Sequence, residues 1–438
     1  MRLRRWVLIT GLMAAVVATP GIAGAAPNVN WRHYMFNASH TGFNNQETTV
    51  TRQTVTNLSL EFSALGPTDN EFGNGFYHSS PAVVNGVMYV GTSNGEFLAF
   101  SATGCGDVLC LPLWRAQLSN GVFVSPTVVN GVAYVESAGT QDGRLYAFAA
   151  GGCGASICQP LWSAPNHGNV GSSPTVVGGV VYTASTDGNL YAYSATGCGA
   201  RVCGPLWSGA IGASAESAPA VRNGVVYVAG SKRLFAFAAA GCGQATCTPL
   251  WRTTRLGGVE VYQGSGPAVS GSTVYVASSD TANSIGRVYA FPAAGCGQFT
   301  CGHRWRGQIT GGGFEVTPAV ANGVVYAGST DGLFAFNAAG CGAVTCAPLW
   351  RGHPAGGIFA GTQASPAVAG GVVYTAQNNT RIAAYDAAGC GQSSCEPLWF
   401  FVTQGSIVNT PVIVNGRLYV SGSNFGFTPQ IYVFHLVG

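Results

Sequence analysis

Residues 174–207 read PTVVGGVVYTASTDGNLYAYSATGCGARVCGPLW. In order, these are a proline, a Val-rich run, a Gly-Gly turn, a second Val-rich run, an Asp187-Gly188 turn, a third apolar run, a C-x4-C pair and a tryptophan. Short β-branched and aromatic runs bounded by Gly, Asn and Asp read as strands, because those residues supply the backbone conformations that tight turns need. The spacing predicts strands over Pro174–Val177, Val180–Ala184 and Leu190–Tyr193, with a fourth opening at Pro205-Leu206-Trp207. Four antiparallel strands in a unit of this length make one blade of a β-propeller.

The unit recurs along the chain. A proline opens each copy, at Pro81, Pro126, Pro174, Pro219, Pro267, Pro318, Pro366 and Pro411, spaced 45 to 51 residues apart. Asn-Gly follows in five of them, as at Asn85-Gly86 and Asn415-Gly416. That pair favours a two-residue hairpin, since a type I′ turn puts both central residues at positive φ. The 14 cysteines form seven pairs of identical spacing: Cys105/Cys110, Cys153/Cys158, Cys198/Cys203, Cys242/Cys247, Cys296/Cys301, Cys341/Cys346 and Cys390/Cys395. Four residues after each pair stands a tryptophan: Trp114, Trp162, Trp207, Trp251, Trp305, Trp350 and Trp399.

Zinc knuckles come in sets of two or are completed by His, and these pairs have neither a close second pair nor a His at a fixed offset. They read instead as seven local disulfides that stiffen the outer rim, each stabilising its loop by roughly 2 kcal/mol in the chain-entropy account. A tryptophan at one fixed repeat position reads as inter-blade packing, an aromatic burying roughly 150–250 Å². Eight proline units against seven Cys–Trp units need an explanation. The last unit ends near Ile431–Phe434 without a fourth strand, and a spare strand, Leu58–Phe62, precedes the first. If the N-terminal strand completes the C-terminal blade, the ring closes and that blade has no hairpin to carry a disulfide. The expected fold is therefore all-β, an eight-bladed propeller whose closure leaves no open sheet edge between its two ends.

Only 8% of the 438 residues are charged, and Gly numbers 64, which suits short strands and turns rather than helices. The net charge of +3 is dispersed, with no Lys/Arg run beyond the first five residues. Nucleic acid and anionic membranes need a basic patch and are excluded as expected partners. Arg2, Arg4 and Arg5, the apolar stretch Trp6–Ala18, and Ala23-Gly24-Ala25 read as a secretory signal over 1–25. A lead-in segment follows over 26–56 and the propeller over 57–438. Export fits the cysteine usage, so a secreted, extracellular or periplasmic monomer is expected, with no membrane insertion after cleavage.

The units resemble the repeats of the quinoprotein-type (PQQ-like) propellers, in which a Leu-Tyr-Ala-Phe-like strand runs through a small-residue turn to a strand bearing a docking tryptophan. Here the pattern is Leu145-Tyr146-Ala147-Phe148 through Trp162, and Leu333-Phe334-Ala335-Phe336 through Trp350. Trp31–Gly42 (WRHYMFNASHTG) resembles the lead-in of that superfamily. The resemblance spans 31–438 and implies the fold. For function it implies either a PQQ- and calcium-dependent alcohol or sugar dehydrogenase, or a cofactor-free scaffold similar to the outer-membrane assembly-factor propeller. The chain departs from the dehydrogenases in having no adjacent Cys-Cys pair, no long insertions and no matching calcium-binding Glu/Asn/Asp set. It departs from the assembly factor in its C-x4-C pairs and in lacking a lipoprotein cysteine.

No catalytic string or metal motif is present. Gly91 through Ser93 to Gly95 matches G-x-S-x-G, but a strand follows where a nucleophile elbow needs a helix. The loops entering the innermost strands should reach one mouth of the central channel. Three residues before the repeat prolines stand His78, Glu216, Glu315 and Gln363, which together could hold a cation or polar ligand. Phe76, Tyr77, Tyr262, Phe314 and Phe359 share those loops. The expected function is a non-catalytic binding or scaffolding module at the cell envelope, with a protein or glycan partner and no cofactor. A quinoprotein dehydrogenase and an extracellular glycan binder are the alternatives.

Overall fold

The computed structural model describes residues 29–65, 79–107, 110–139, 143–168, 172–212, 217–256, 266–280, 285–311, 316–353, 364–377, 380–403, 405–407, 409–423 and 429–437. The expected signal over 1–25 lies outside the described residues. Eight separate sheets follow one another around the ring, one for each repeat proline. In the blade opened by Pro174 the strands are Thr175–Val177, Val180–Ala184, Asn189–Ser194 and Trp207–Ala210, each antiparallel to the next. Blades are numbered 1 to 8 below in the order of their prolines.

The ring closes as the strand count requires. Leu58–Leu65 pairs antiparallel with Pro429–Leu436 and becomes the outermost strand of blade 8, three residues longer than the sequence suggested. A bidentate pair fixes it, Arg417 Nε and Nη2 donating to Glu61 at 2.7 and 2.8 Å. Blade 8 thus takes its third and fourth strands from opposite ends of the chain. All fourteen cysteines are joined as the seven local disulfides, and none belongs to blade 8.

The placement of the cysteines adds to the expectation of rim-stiffening staples. The pairing is as expected, but only the first cysteine of each pair (Cys105, Cys153, Cys198, Cys242, Cys296, Cys341 and Cys390) is exposed. The second is buried at 0–5% exposure: Cys110, Cys158, Cys203, Cys247, Cys301, Cys346 and Cys395. From Cys158 onward each of these packs in one apolar cluster with the tryptophan of the preceding blade. Cys158 joins Trp114, Cys203 joins Trp162, Cys247 joins Trp207 and Cys346 joins Trp305. Cys110 packs instead in the cluster of blades 7, 8 and 1, which contains Phe62. Each disulfide therefore closes its loop and fills the inter-blade core, because a disulfide sulfur is as apolar as the side chains around it.

The hairpins also reach back by their backbone. The residue before the second cysteine runs parallel to the outermost strand of the preceding blade. Thr246-Cys247 pairs with Ser208-Gly209, Thr300-Cys301 with Arg252-Thr253, and Ser394-Cys395 with Arg351-Gly352. The same hairpin seats a tryptophan. The glycine before the first cysteine lies on the preceding blade's indole, and a Cβ at Gly152, Gly197, Gly241, Gly295, Gly340 or Gly389 would come within 2.6–2.7 Å of a tryptophan ring carbon. These glycines also hold positive φ, so both the backbone and the contact exclude a side chain. In blade 8 Phe62 occupies the tryptophan's place, opposite Val433 and against Gly104 of blade 1.

A further link joins the blades. In every blade but the seventh, the tyrosine of the second strand donates to a turn carbonyl on the next blade, for example Tyr134 to Ala195 at 2.9 Å and Tyr326 to Ala387 at 2.8 Å. The apolar core lies in these inter-blade layers rather than on the axis, each cluster drawing on neighbouring blades.

Candidate functional site on the propeller axis

The axis is occupied by the chain itself. Residues 31–44 run around the inside of the ring and bond to the innermost strand of every blade, always at the residue two after the repeat proline. Trp31 exchanges two bonds with Val83 of blade 1, and Arg32 O accepts from Val128 N of blade 2. His33 Nε2 donates to Val176 O of blade 3 at 3.1 Å. The carbonyls of Ala38, Ser39, Thr41 and Gly42 then accept from Val221, Val269, Val320 and Val368. Asn44 Nδ2 donates to Ile413 O of blade 8 at 2.8 Å. Short inner strands leave backbone amides and carbonyls facing the axis, and one turning segment bonds to all eight blades.

About three residues further along the inner strands, toward the loops, lies a belt of hydroxyls. In five of the eight blades the residue before the proline donates its amide to the hydroxyl of the same residue on the next blade. Ser80 donates to Ser125, Ser125 to Ser173, Gly266 to Thr317, Thr317 to Ser365, and Thr410 back to Ser80, at 2.7–3.1 Å. Ala218 and Gly266 interrupt the hydroxyls, and His40 sits beside that gap with its Nε2 3.0 Å from Thr175 Oγ1. Tyr34 reaches the belt at Thr317 and Ser365. Burial holds His33 at about 4 and His40 at about 3, so both rings are neutral and committed to structure.

Of the residues expected at the mouth, His78, Glu216, Glu315 and Gln363 all lie outside the described residues, as do Phe76, Tyr77, Tyr262, Phe314 and Phe359. Their neighbours one step closer to the belt are described and buried: Ser79, Ser217, Val316 and Ala364. Ser79 Oγ accepts from Gly91 N and Ser217 Oγ from Ala229 N, which anchors the base of those loops to the second strand of the blade.

One acid at the level of the mouth was not singled out from the sequence. Glu136 is the penultimate residue of the second strand of blade 2, at a position held by Gly91, Ala184, Ala229, Ala277, Gly328, Ala376 and Ser421 in the other blades. Aligning the V-x-Y strands would have found it. It is buried against blade 3, where Asn166 Nδ2 donates to it at 2.8 Å and the Thr183 hydroxyl also donates. Burial outweighs these bonds and pushes its carboxyl up to about 8. On the opposite, hairpin face a groove of about 410 Å³ between blades 1 and 2 is lined by Arg32, Asn85, Tyr89 and Asn130.

A quinone held against calcium needs carboxylate and amide donors converging with an open ring face. Among the described residues no three His, Cys, Asp or Glu side chains converge, every cysteine is taken by a local disulfide, and the axis carries residues 31–44. The described residues do not supply that donor set.

The family described as outer membrane protein assembly factor BamB matches residues 158–340. No curated protein matches the chain. Among solved structures, BamB from Moraxella catarrhalis superposes with a TM-score of 0.60 at 16% identity, over 86% of this chain and 99% of that one. The quinohemoprotein alcohol dehydrogenase of Comamonas testosteroni gives 0.64 at 14% identity, over 95% and 82%. A europium-containing methanol dehydrogenase gives 0.62 at 13%, over 93% and 98%. At such identities the likeness is one of fold, and the fold is that of the PQQ-like propellers. Seven disulfides place its folding in an oxidising compartment. Among the described residues no helix is long and apolar enough to cross a membrane.

Proposed function

We propose that the chain is an exported, non-catalytic propeller that works as a binding or scaffolding module at the cell envelope, without a cofactor. The axial segment carries this reading. Residues 31–44 bond to all eight inner strands, and their two histidines are neutral and buried. The titratable groups at the centre of the ring therefore hold the fold together. The likeness to BamB, an assembly factor by the description of its family, supports the same reading.

The test is a titration of the purified mature protein with pyrroloquinoline quinone, with and without calcium, followed by absorbance and melting temperature. No saturable change is expected. Saturable binding that raises the melting temperature and is lost in Glu216→Gln or Glu315→Gln overturns the reading in favour of a quinone-dependent dehydrogenase.

A further inference from the structure

Ring closure has a consequence at the outer rim. In blades 1 to 6 the outermost strand is covered by the disulfide hairpin of the following blade. Arg115, Ser163, Ser208, Arg252, Arg306 and Arg351 each donate their outward amide to a carbonyl in that hairpin, at 2.8–3.0 Å. Blade 8 has no such hairpin, because its third and fourth strands come from the two ends of the chain. The outermost strand of blade 7, Trp399–Val402, therefore ends its sheet, and among the described residues nothing runs along its outer edge. The amides of Phe400 and Val402 stand where those of Arg351 and His353 donate to Ser393 O and Cys395 O one blade earlier.

The side chains change at the same place. Where the other six blades carry Arg or Ser, blade 7 carries Phe400, 53% exposed, followed on the same face by Val402, 51% exposed. The strand reads Trp-Phe-Phe-Val and has no Lys, Pro or charge to discourage pairing. Such an edge is a template for another strand unless it is covered.

We propose that the outer edge of Trp399–Val402 is a docking site for an extended segment of a partner protein, which adds in parallel and lays apolar side chains on Phe400 and Val402. The covered edges of the other blades define the occupant. Each takes a short parallel segment, and at blade 4 the Phe299 ring of that segment lies 5.1 Å from the Arg252 guanidinium. With Phe400 in the place of Arg252, the matching side chain is aromatic or aliphatic. A second copy fits less well. Two-fold-related copies of one strand pair antiparallel, and a four-residue edge buries far less than the roughly 1,200 Å² of a stable dimer. Strand addition to an exposed edge is a common mode of peptide capture, with backbone bonds giving affinity and alternate side chains giving selectivity. This inference deepens the binding-module reading but does not stand or fall with the quinone titration. Quinone binding would overturn that reading and leave the edge as described.

The probe is the oxidised peptide Gly295–Gly302 (GCGQFTCG), the segment that covers blade 4. It is titrated into the full mature protein while amide hydrogen exchange is followed at residues 398–403. In the free protein the Phe400 and Val402 amides should exchange at least tenfold faster than Arg351 and His353. Saturating peptide should slow them at least tenfold. Val402→Pro removes an outward amide that bonds nothing within the sheet, so the fold should survive and peptide affinity should fall at least tenfold. Equal affinity for Val402→Pro, no protection up to the peptide's solubility limit, or Phe400 and Val402 amides already as slow as Arg351 each overturn the proposal. So does a dimer in sedimentation that Val402→Pro converts to monomer.

Discussion

The hydroxyl of Tyr419 donates to the carbonyl of Ala102 at 2.9 Å across 317 positions of sequence, and this bond joins blade 8 to blade 1. It has the geometry of the six tyrosine–alanine bonds that join consecutive blades elsewhere. The remaining tyrosine, Tyr374 of blade 7, faces blade 8, which has no disulfide hairpin, and its buried hydroxyl has no partner among the described residues. Tyr419→Phe should therefore lower unfolding free energy by about 1 kcal/mol. Tyr374→Phe should be neutral or stabilising, since it removes a buried unpaired hydroxyl. Urea midpoints of the two variants check both signs. Equal losses would mean that the tyrosine bond is not what distinguishes these interfaces.

Gly295 and Gly297 flank Cys296 with the same φ of +78°, yet they differ in surroundings. A Cβ at Gly295 would meet the Trp251 ring at 2.7 Å, whereas one at Gly297 meets nothing within 4 Å. Gly297→Ala should cost only the backbone strain, about 1 kcal/mol. Gly295→Ala should cost that and a displaced tryptophan besides, roughly 1–3 kcal/mol more. Thermal melts of both variants, with near-ultraviolet circular dichroism reporting on Trp251, separate the two contributions.

The buried titratable groups give the stability a pH dependence of predictable sign. Glu136 titrates near 8 when folded and near its ordinary 4.5 when unfolded, so as pH rises through that window the unfolded chain loses its proton first and stability falls. Glu136→Gln should remove this slope, and the variant should gain on the parent by up to about 1.4 kcal/mol per pH unit between those values. His33 and His40 act at the other end. Their folded values of about 4 and about 3 lie below the ordinary 6.5, so the unfolded chain binds protons first as pH falls below 6.5 and stability falls with it. Urea midpoints from pH 4 to 8 test both limbs. A flat profile for the parent would show that neither burial holds.

Deleting residues 57–62 removes most of the strand that completes blade 8, together with the Glu61–Arg417 pair. The loss should exceed that expected for six surface residues and should broaden the unfolding transition, because blades 7, 8 and 1 share one core cluster. Phe62→Ala alone should cost about 3 kcal/mol, as a buried aromatic does. A deletion that unfolds at the parent's midpoint with the parent's cooperativity would mean that the ring is held shut elsewhere.

Much of this was readable from the residues. The repeat prolines, the C-x4-C pairs and the mismatch between eight and seven named the blade count and the composite blade, because each marker does its work within one hairpin. The burial of Cys110, Cys158, Cys203 and Cys346 was not readable, since spacing shows which sulfur each one joins and not which blade it packs against. The candidate mouth residues His78, Glu216, Glu315 and Gln363 came from alignment alone and lie outside the described residues. Glu136 was equally visible in the alignment, but a glutamate in a repeat strand attracts notice only once its burial is known.

What the sequence by itself determined was everything with a local cause: which residues turn, which alternate as strands, which cysteines lie close enough to join, and how many times the unit repeats. Only the tertiary structure decided what each unit touches. That residues 31–44 line the axis and meet all eight blades, that each disulfide hairpin covers the preceding blade, and that Trp399–Val402 is left bare depend on contacts between segments tens to hundreds of residues apart. Turn chemistry and strand period act over a few bonds of chain and leave a mark at every repeat. An inter-blade contact depends on how the closed ring brings distant backbone together, and closure is a property of the whole chain.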